Sequence, residues 1–276
     1  MKFSLLMSLY AKEKPHYLSE SLKSIENQIV QPSEVVIVKD GPLTEDLEKV
    51  LEDFMKKGNL NYKIISLAKN AGLGKALNFG LDACSYNVVA RMDTDDVALP
   101  ERFSQQIGFL KKHKDIDILG SWIAEYDKDL TEKLSDRKPP LRHEDIMCFS
   151  KYANPFNHMS VVFKKEKVLE VGGYQPMSGF EDFYLWIRML KNGAKGANIP
   201  KVLIHARAGS EMVGRRHGIA YARQEIDFTI AGRKLGYFSY YDLSRNMIIR
   251  VLPRFLPKTF LDILYRFSRT VVGKQK

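Results

Sequence analysis

The sequence predicts an α/β fold: a mostly parallel central sheet flanked by helices, with a helical amphipathic extension at the carboxyl end. Three observations carry this reading. Up to about residue 126, short β-branched runs alternate with amphipathic helical stretches, the rhythm of βαβ units. Runs such as Val35-Val-Ile-Val38 are apolar throughout, as strands covered on both faces are. Three of the strands end abruptly in polar or acidic residues, at the carboxyl edge where open α/β sheets bind ligands.

Taken in order, Phe3-Ser-Leu-Leu-Met-Ser-Leu9 reads as the first strand, with Ser8 and Tyr10 at its end. Pro15 stands at a first-turn position, where its missing N–H is no loss, and opens a helix whose apolar face is Leu18, Leu22, Ile25 and Ile29. The second strand, Val35 to Val38, stops at Lys39-Asp-Gly-Pro42. A helix from Thr44 to about Lys57 and a third strand, Tyr62 to Ser66, follow. Leu73 to Ala83 reads as a helix entered through Asn70-Ala-Gly72, and Asn87 to Met92 as the fourth strand. Asp93-Thr-Asp-Asp96 closes that strand, and another helix starts near Pro100.

Beyond Pro139-Pro140 the chain reads as less regular and more helical to about residue 236. Gly172 to Gly179 describe a loop, and the helix from Glu181 offers Leu185, Ile187, Met189 and Leu190 to the core. The tail from Tyr241 to Lys276 mixes Ile248, Ile249, Leu252 and Phe255 with Arg245, Arg250 and Arg254. Such a segment has too many apolar residues for a free helix in water, so it covers either the core or a membrane surface.

Composition bounds the function. With 276 residues, 45% hydrophobic and 28% charged, the chain suits a globular fold, and no stretch approaches the ~20 apolar residues of a membrane span. The apolar amino terminus is followed at once by Lys12-Glu-Lys14 without a small-residue cleavage site, so it reads as a strand rather than a signal peptide. Cys84 and Cys148 lack the spacing of a disulfide scaffold or a zinc site, and the cytoplasm fits best. A net charge of +10 implies an anionic partner: nucleic acid, an acidic membrane or a phosphorylated substrate. Nucleic acid is the poorest of these, because no binding module or aromatic-basic interleaving is present and the charge concentrates in the tail.

Three carboxylates within four positions, Asp93, Asp95 and Asp96, repel one another unless a cation joins them, and hard oxygen ligands suit Mg²⁺ or Mn²⁺. Capping of the next helix by Asp95 or Asp96 would explain one of the three. Asn70-Ala-Gly-Leu-Gly-Lys75 follows a strand and opens a helix as a phosphate loop does, but Lys75 is not followed by Ser or Thr, so an ordinary strand-to-helix turn explains it equally well. Asp40-Gly41 has a turn reading, and Glu181-Asp182 has a helix-dipole one. His158 is read as a hydrogen-bonded structural histidine.

Together, Val35-Val-Ile-Val-Lys-Asp-Gly41, Asn70-x-Gly72-x-x-x-Ala76-x-Asn78, Arg91-x-Asp93-x-Asp95-Asp96, Gly172-Gly-Tyr174 and Glu181-Asp-x-x-Leu-Trp-x-Arg188 resemble the inverting GT-A glycosyltransferases of family two. These build bacterial capsules, O-antigens and exopolysaccharides. The resemblance covers Phe3 to about residue 236, and it implies the roles that follow. Asp40 reads the uracil edge of a UDP-sugar beside the Ser8-Leu-Tyr10 loop. Asn70, Gly72 and Asn78 shape the donor site, Lys75 adds charge there, and Arg91 belongs to the same motif. Asp93 and Asp95 are the D-x-D acids, Asp95 being the direct ligand of Mn²⁺ or Mg²⁺. Asp182 is the catalytic base, and Glu181 orients acceptor or base. Arginines between Arg207 and His217 close over the pyrophosphate. The chain departs from the family where Ala11 follows Tyr10 in place of the usual Asn.

The implied domains are a GT-A unit over 1–236, with a nucleotide-sugar half at 1–126 and an acceptor half at 127–236, then a basic tail over 237–276. The implied activity is metal-dependent, inverting hexosyl transfer from a UDP-sugar to a lipid-linked oligosaccharide or other glycan, with the enzyme held peripherally at the inner face of the cell membrane. A metal-dependent nucleotidyltransferase and a non-catalytic nucleotide-sugar-binding protein are the alternatives.

Overall fold

The computed structural model describes residues 1–208 and 218–255. The first half has the predicted order: β1 (Ser4–Leu9), α1 (Pro15–Glu26), β2 (Glu34–Lys39), α2 (Glu45–Lys57), β3 (Tyr62–Ser66), α3 (Leu73–Ala83) and β4 (Val88–Arg91). The four strands run parallel in the spatial order β3-β2-β1-β4, with Ser4 opposite Glu34 and Leu9 opposite Lys39. Side chains alternate across this sheet. Leu6, Val36 and Val38 face one layer with α3, while Leu5, Met7, Leu9, Val35 and Ile37 face the other with α1 and α2. Both faces are covered, which is why the strands read as unbroken apolar runs.

Helix ends follow local chemistry. Thr44 caps α2, its hydroxyl accepting from Leu47 N at 3.4 Å, and Glu45, Asp46 and Glu48 lie in the positive first turn. α1 has Pro15 in its first turn and buries Leu18, Leu22 and Ile25, but it stops at Glu26. Ile29 therefore lies beyond the helix and is 69% exposed, contrary to the periodicity. There the backbone has turned to donate from Ile29 N to Pro100 O, so helical spacing no longer governs which way side chains point.

The second half contributes more strand than its sequence suggests. After β5 (Val97–Ala98) and α4 (Arg102–Lys112) come β6 (Ile118–Tyr126), β7 (Lys133–Arg137), α5 (His143–Phe149), a 3₁₀ turn (His158–Ser160) and β8 (Val162–Lys164). Then follow α6 (Lys165–Glu170), α7 (Glu181–Lys191), β9 (Gly196–Arg207) and α8 (Gly218–Lys234). The sheet continues as β4-β8-β6-β9-β5, with β8 antiparallel to both β4 and β6, and β7 paired to β6. β9 was hidden because its register against β6 shifts around Trp122, passing over exposed Pro200 and Lys201, which breaks the alternation a strand normally displays. Trp186 of α7 is buried under β8, edge-on to Phe156 and tilted against Phe163.

The tail begins with α9 (Tyr240–Asn246), where Ser239 and Asp242 form a reciprocal capping box. A π-helical turn (Met247–Val251) and a 3₁₀ turn (Leu252–Phe255) follow and pack against α8. Arg250 and Arg254 both point inward to Glu225 of α8, at 2.6 and 3.0 Å. Tyr240, Tyr241, Ile248, Ile249 and Leu252 are exposed. The tail's described residues thus do cover the body, with two of its cations facing in.

Candidate active site

The carboxyl ends of the four parallel strands gather the donor-side residues named from sequence. Ser8 is the penultimate residue of β1 and Tyr10 follows it, Asp40 follows β2, Asn70 to Gly72 follow β3, and Asp93 to Asp96 follow β4. Asp40 is buried, and its carboxylate accepts from Ala71 N at 2.6 Å and Gly72 N at 3.1 Å, while Asn70 Nδ2 donates to its backbone oxygen. Gly41 has φ +92°, and a Cβ there would lie 2.7 Å from Asn70 N, so glycine is what lets the two loops meet. Ionised carboxylates retain acceptor capacity after two such bonds, leaving Asp40 able to take a further N–H. Lys75 is exposed on the first turn of α3.

Asn78 is clamped elsewhere. Its amide donates to Tyr174 O at 2.7 Å and accepts from Tyr174 N at 2.8 Å. The neighbouring Gly173 has φ +65° and would carry a Cβ 2.6 Å from Asn78 Oδ1. Asn78 thereby ties α3 to the Gly172-Gly-Tyr174 turn.

The acids after β4 form a cluster whose ligand oxygens lie within 4.8 Å of one another. Arg91, wholly buried, grips Asp93 with both terminal nitrogens, one at 2.7 Å. Arg102, equally buried, donates to Arg91 O and Met159 O and fixes the end of the strand. Burial, together with the charges of Asp93 and Glu13, holds the Asp95 carboxyl above the usual range, and burial with Asp95 and Asp93 does the same to Asp96. Neither Asp95 nor Asp96 caps α4, whose N-cap is Glu101 without a side-chain cap bond. Asp96 instead accepts from Arg207 N at 3.1 Å, because β9 passes directly behind the loop.

Arg207 departs from the role its segment suggested. Its side chain reaches Asp95 O, Lys128 O and Glu20, and lies over the Tyr17 ring at 4.1 Å, so it braces the acidic loop from behind. Arg215 and Arg216 lie outside the described residues.

The cluster suits a divalent cation. Asp96 Oδ2 is buried without a hydrogen-bond partner, and unneutralised carboxylates this close penalise one another's ionisation. Because the folded pKa values are raised, folding stability is lost as pH climbs through them, and a cation reverses that loss only once the protons have left. Adding Mn²⁺ or Mg²⁺ is therefore expected to raise the melting temperature, with a larger increment at pH 7.5 than at pH 5.5. Scanning calorimetry checks this; equal increments, or none, would exclude the cluster as a cation site.

Glu181 and Asp182 open α7. Asp182 accepts from Asn154 Nδ2 at 2.7 Å, and burial holds its carboxyl above the ordinary range against the pull of the Phe183 N–H, Asn154 and the Arg91 charge. Glu181 is raised chiefly by burial and packs on Gly74 at the start of α3. His158 bonds Tyr174 OH at 2.9 Å, and burial keeps it neutral, in line with a structural role. Asp182 opens into a cavity of about 580 Å³ whose walls include Asn154, Tyr152, Arg137, Tyr221 and, from the tail, Arg250 and Arg254. The site thus pairs an acidic strand-end edge with a buried carboxylate facing a cavity.

The profile of glycosyl transferase family 2 matches residues 4–172. The chain belongs to this family. The two relatives named next match along nearly the whole length. It is 41% identical to the amylovoran biosynthesis glycosyltransferase AmsE of Erwinia amylovora, over 97% of this chain and 99% of that one. It is also 41% identical to the UDP-Gal:alpha-D-GlcNAc-diphosphoundecaprenol beta-1,3-galactosyltransferase of Escherichia coli, over 96% and 95%. Among solved structures, TarS of S. aureus in complex with UDP-GlcNAc superposes with a TM-score of 0.64 at 20% identity, covering 83% of this chain and 66% of that one. The mannosyltransferase PcManGT of Pyrobaculum calidifontis, in complex with GDP-Man and Mn²⁺, gives 0.66 at 15%, over 99% and 81%. These superpositions establish the GT-A fold, and the family makes the chain a glycosyltransferase.

Sequence reasoning missed Asn154, Arg137, Glu225, Arg250 and Arg254 as residues of this region. Asn154 lies close to His158, which the sequence did single out, but no spacing ties it to Asp182, 28 residues on.

Proposed function

We propose that this family 2 glycosyltransferase moves a sugar from a UDP-sugar to a saccharide carried on a lipid diphosphate, with inversion, in bacterial surface-polysaccharide assembly. The observation that carries the reading is the placement of Asp182, oriented by Asn154, at the wall of a chamber and near enough to Arg91, the partner of Asp93, to feel its charge. The two relatives at 41% identity, one named for a diphosphoundecaprenol acceptor, support the substrate classes.

In the reaction Asp182 accepts the proton of an acceptor hydroxyl as its oxygen attacks the anomeric carbon. The bond from that carbon to the donor phosphate breaks on the opposite side, UDP departs with the electron pair, and the configuration inverts. Burial raises the basicity of Asp182, while the Asn154 bond fixes which oxygen faces the acceptor. Asp40 and the Ser8-Leu-Tyr10 loop hold the base, and the Asn70–Gly72 loop lines the donor side. Asp95, with Asp93 held by Arg91 and Asp96 behind, would hold Mn²⁺ or Mg²⁺, which when bound offsets charge on the leaving phosphates. The functional halves are 1–126 for the donor and 127–236 for the acceptor, with 237–255 completing the acceptor wall.

The test is direct: UDP-Gal, UDP-Glc and UDP-GlcNAc are each incubated with an α-GlcNAc-diphosphate-alkyl acceptor and Mn²⁺. UDP release with a product of inverted anomeric configuration is expected. Release of pyrophosphate would point to nucleotidyl transfer instead, and retention would remove Asp182 as the base.

We place the enzyme at the cytoplasmic face of the membrane. No helix among the described residues is long and apolar enough to cross it. The exposed Tyr240, Tyr241, Ile248 and Leu252 suit interfacial contact, and the +10 charge suits anionic headgroups. Ile248→Ser/Leu252→Ser should weaken sedimentation with phosphatidylglycerol vesicles, and undiminished binding would rule out this surface.

A further inference from the structure

We infer that the tail positions the reacting carboxylate: Arg245, Asn246 and Arg250 hold the 151–154 segment, and Asn154 on that segment orients Asp182. This rests on the reading of Asp182 as the base and adds the residues that hold its partner in place.

Asn154 stands just past α5, on a stretch with little packing of its own. Between buried Ser150 and buried Pro155, residues 151–154 are half-buried or exposed, and Tyr152 is 45% exposed. Carbonyls at and beyond a helix end have no helical N–H to meet, so they take partners from elsewhere. Here the tail supplies them. Arg245 Nη2 and Asn246 Nδ2 both donate to Lys151 O, at 2.8 and 2.9 Å, and Arg250 Nη1 donates to Tyr152 O at 2.9 Å. These donors lie 94, 95 and 98 residues further along the chain. Two positions after Tyr152, Asn154 Nδ2 donates to Asp182 at 2.7 Å, while its Oδ1 accepts from Phe156 N at 3.3 Å.

The donors are themselves fixed. Asn246 is completely buried at the end of α9, and Arg250 Nε bonds the buried Glu225 carboxylate at 2.6 Å. Arg245 pairs with Asp242, the acid of the capping box, at 3.2 Å. Lys151 is also held through its side chain, which donates to Tyr237 O and lies over the Tyr237 ring at 3.5 Å. The segment is thus gripped by its backbone from the tail side, and Asn154 reaches from the gripped stretch to the base. A contact that orients a reacting carboxylate loses its effect on a small displacement.

The experiment measures transfer to the α-GlcNAc-diphosphate-alkyl acceptor across pH, with whichever of UDP-Gal, UDP-Glc and UDP-GlcNAc supports UDP release. Asn246→Ala, Asn154→Ala and the double variant are compared with the wild type. Asn246→Ala is expected to lower kcat by about 10- to 100-fold with UDP affinity unchanged, and to move the acid limb to higher pH as Asn154→Ala does. The charges that reach Asp182 are those of Arg91 and Arg137, with Glu181 and the Tyr174 hydroxyl near it. Glu225, Arg250 and Arg254 line the same cavity. Asn246→Ala changes none of these groups, so a shifted limb reports the Asn154 bond. Because the tail acts through Asn154, the double variant should lose no more than Asn154→Ala alone. Should Asn246→Ala unfold, Arg245→Met, which removes the other donor to Lys151 O, is combined with Asn154→Ala and read in the same way. A folded variant with unchanged kcat and acid limb overturns the inference, as do losses that multiply in the double variant. Full activity in Asp182→Asn counts instead against the base reading itself, so the two failures are distinguished.

Discussion

Asp182→Asn is expected to lower kcat by about 10²- to 10⁴-fold, the range a positioned general base supplies, and to preserve UDP binding. Asparagine keeps the shape and can still meet Asn154, but it cannot take a proton. The donor-side residues at the carboxyl edge are left untouched, so isothermal titration with UDP should match the wild type. A fully active variant would sink the assignment. The wild-type pH profile carries a second signature. Because burial raises the Asp182 pKa, the base is protonated, and transfer is lost, at a pH above the usual carboxylate value of about 4. Activity therefore rises through that raised pKa as pH increases, and Asn154→Ala should move the limb higher still, since the Asn154 bond stabilises the charged form.

Glu225→Ala is the substitution expected to damage the fold most. It leaves two guanidiniums against apolar rings without their shared carboxylate, and breaking a buried ion pair from one side costs about 3–5 kcal/mol. For a chain of this size that corresponds to a fall of roughly 10 °C in melting temperature. The segment from 247 to 255 is anchored to α8 by this cluster and should become protease-sensitive. Replacing all three partners, as Glu225→Leu with Arg250→Met and Arg254→Met, removes the charges together and should recover much of the stability. A melting temperature unchanged in Glu225→Ala would mean that the cluster contributes nothing to holding the tail.

The first half of the molecule was legible because its signals are local. An unbroken apolar run marks a strand covered on both faces, Thr44 marks a helix start, and the end of such a strand marks the ligand edge. β1 to β4 and α1 to α3 accordingly fall within a residue or so of where the sequence puts them, and the acidic trio lies where a strand of that length must release it. Ile29 is the instructive exception. Its spacing continues the face of α1, yet the backbone bond to Pro100 ends that periodicity.

What the residues alone determined is the layered α/β frame and the family, because these follow from local period and from residue type at motif positions. Only the tertiary structure decided who holds whom. Asn154 orients Asp182, Asn78 clamps the Tyr174 turn, Arg207 braces the acidic loop from behind, and Glu225 draws two tail arginines to the wall of the Asp182 cavity. Each pairing joins residues far apart in the chain, so it depends on how separate elements are brought together: α3 to the Tyr174 turn, β9 to the acidic loop, and α8 to the tail. A charge run on the tail carries no sign of which way it faces. The buried carboxylate that turns it inward lies 25 and 29 residues earlier, at a position no local pattern marks.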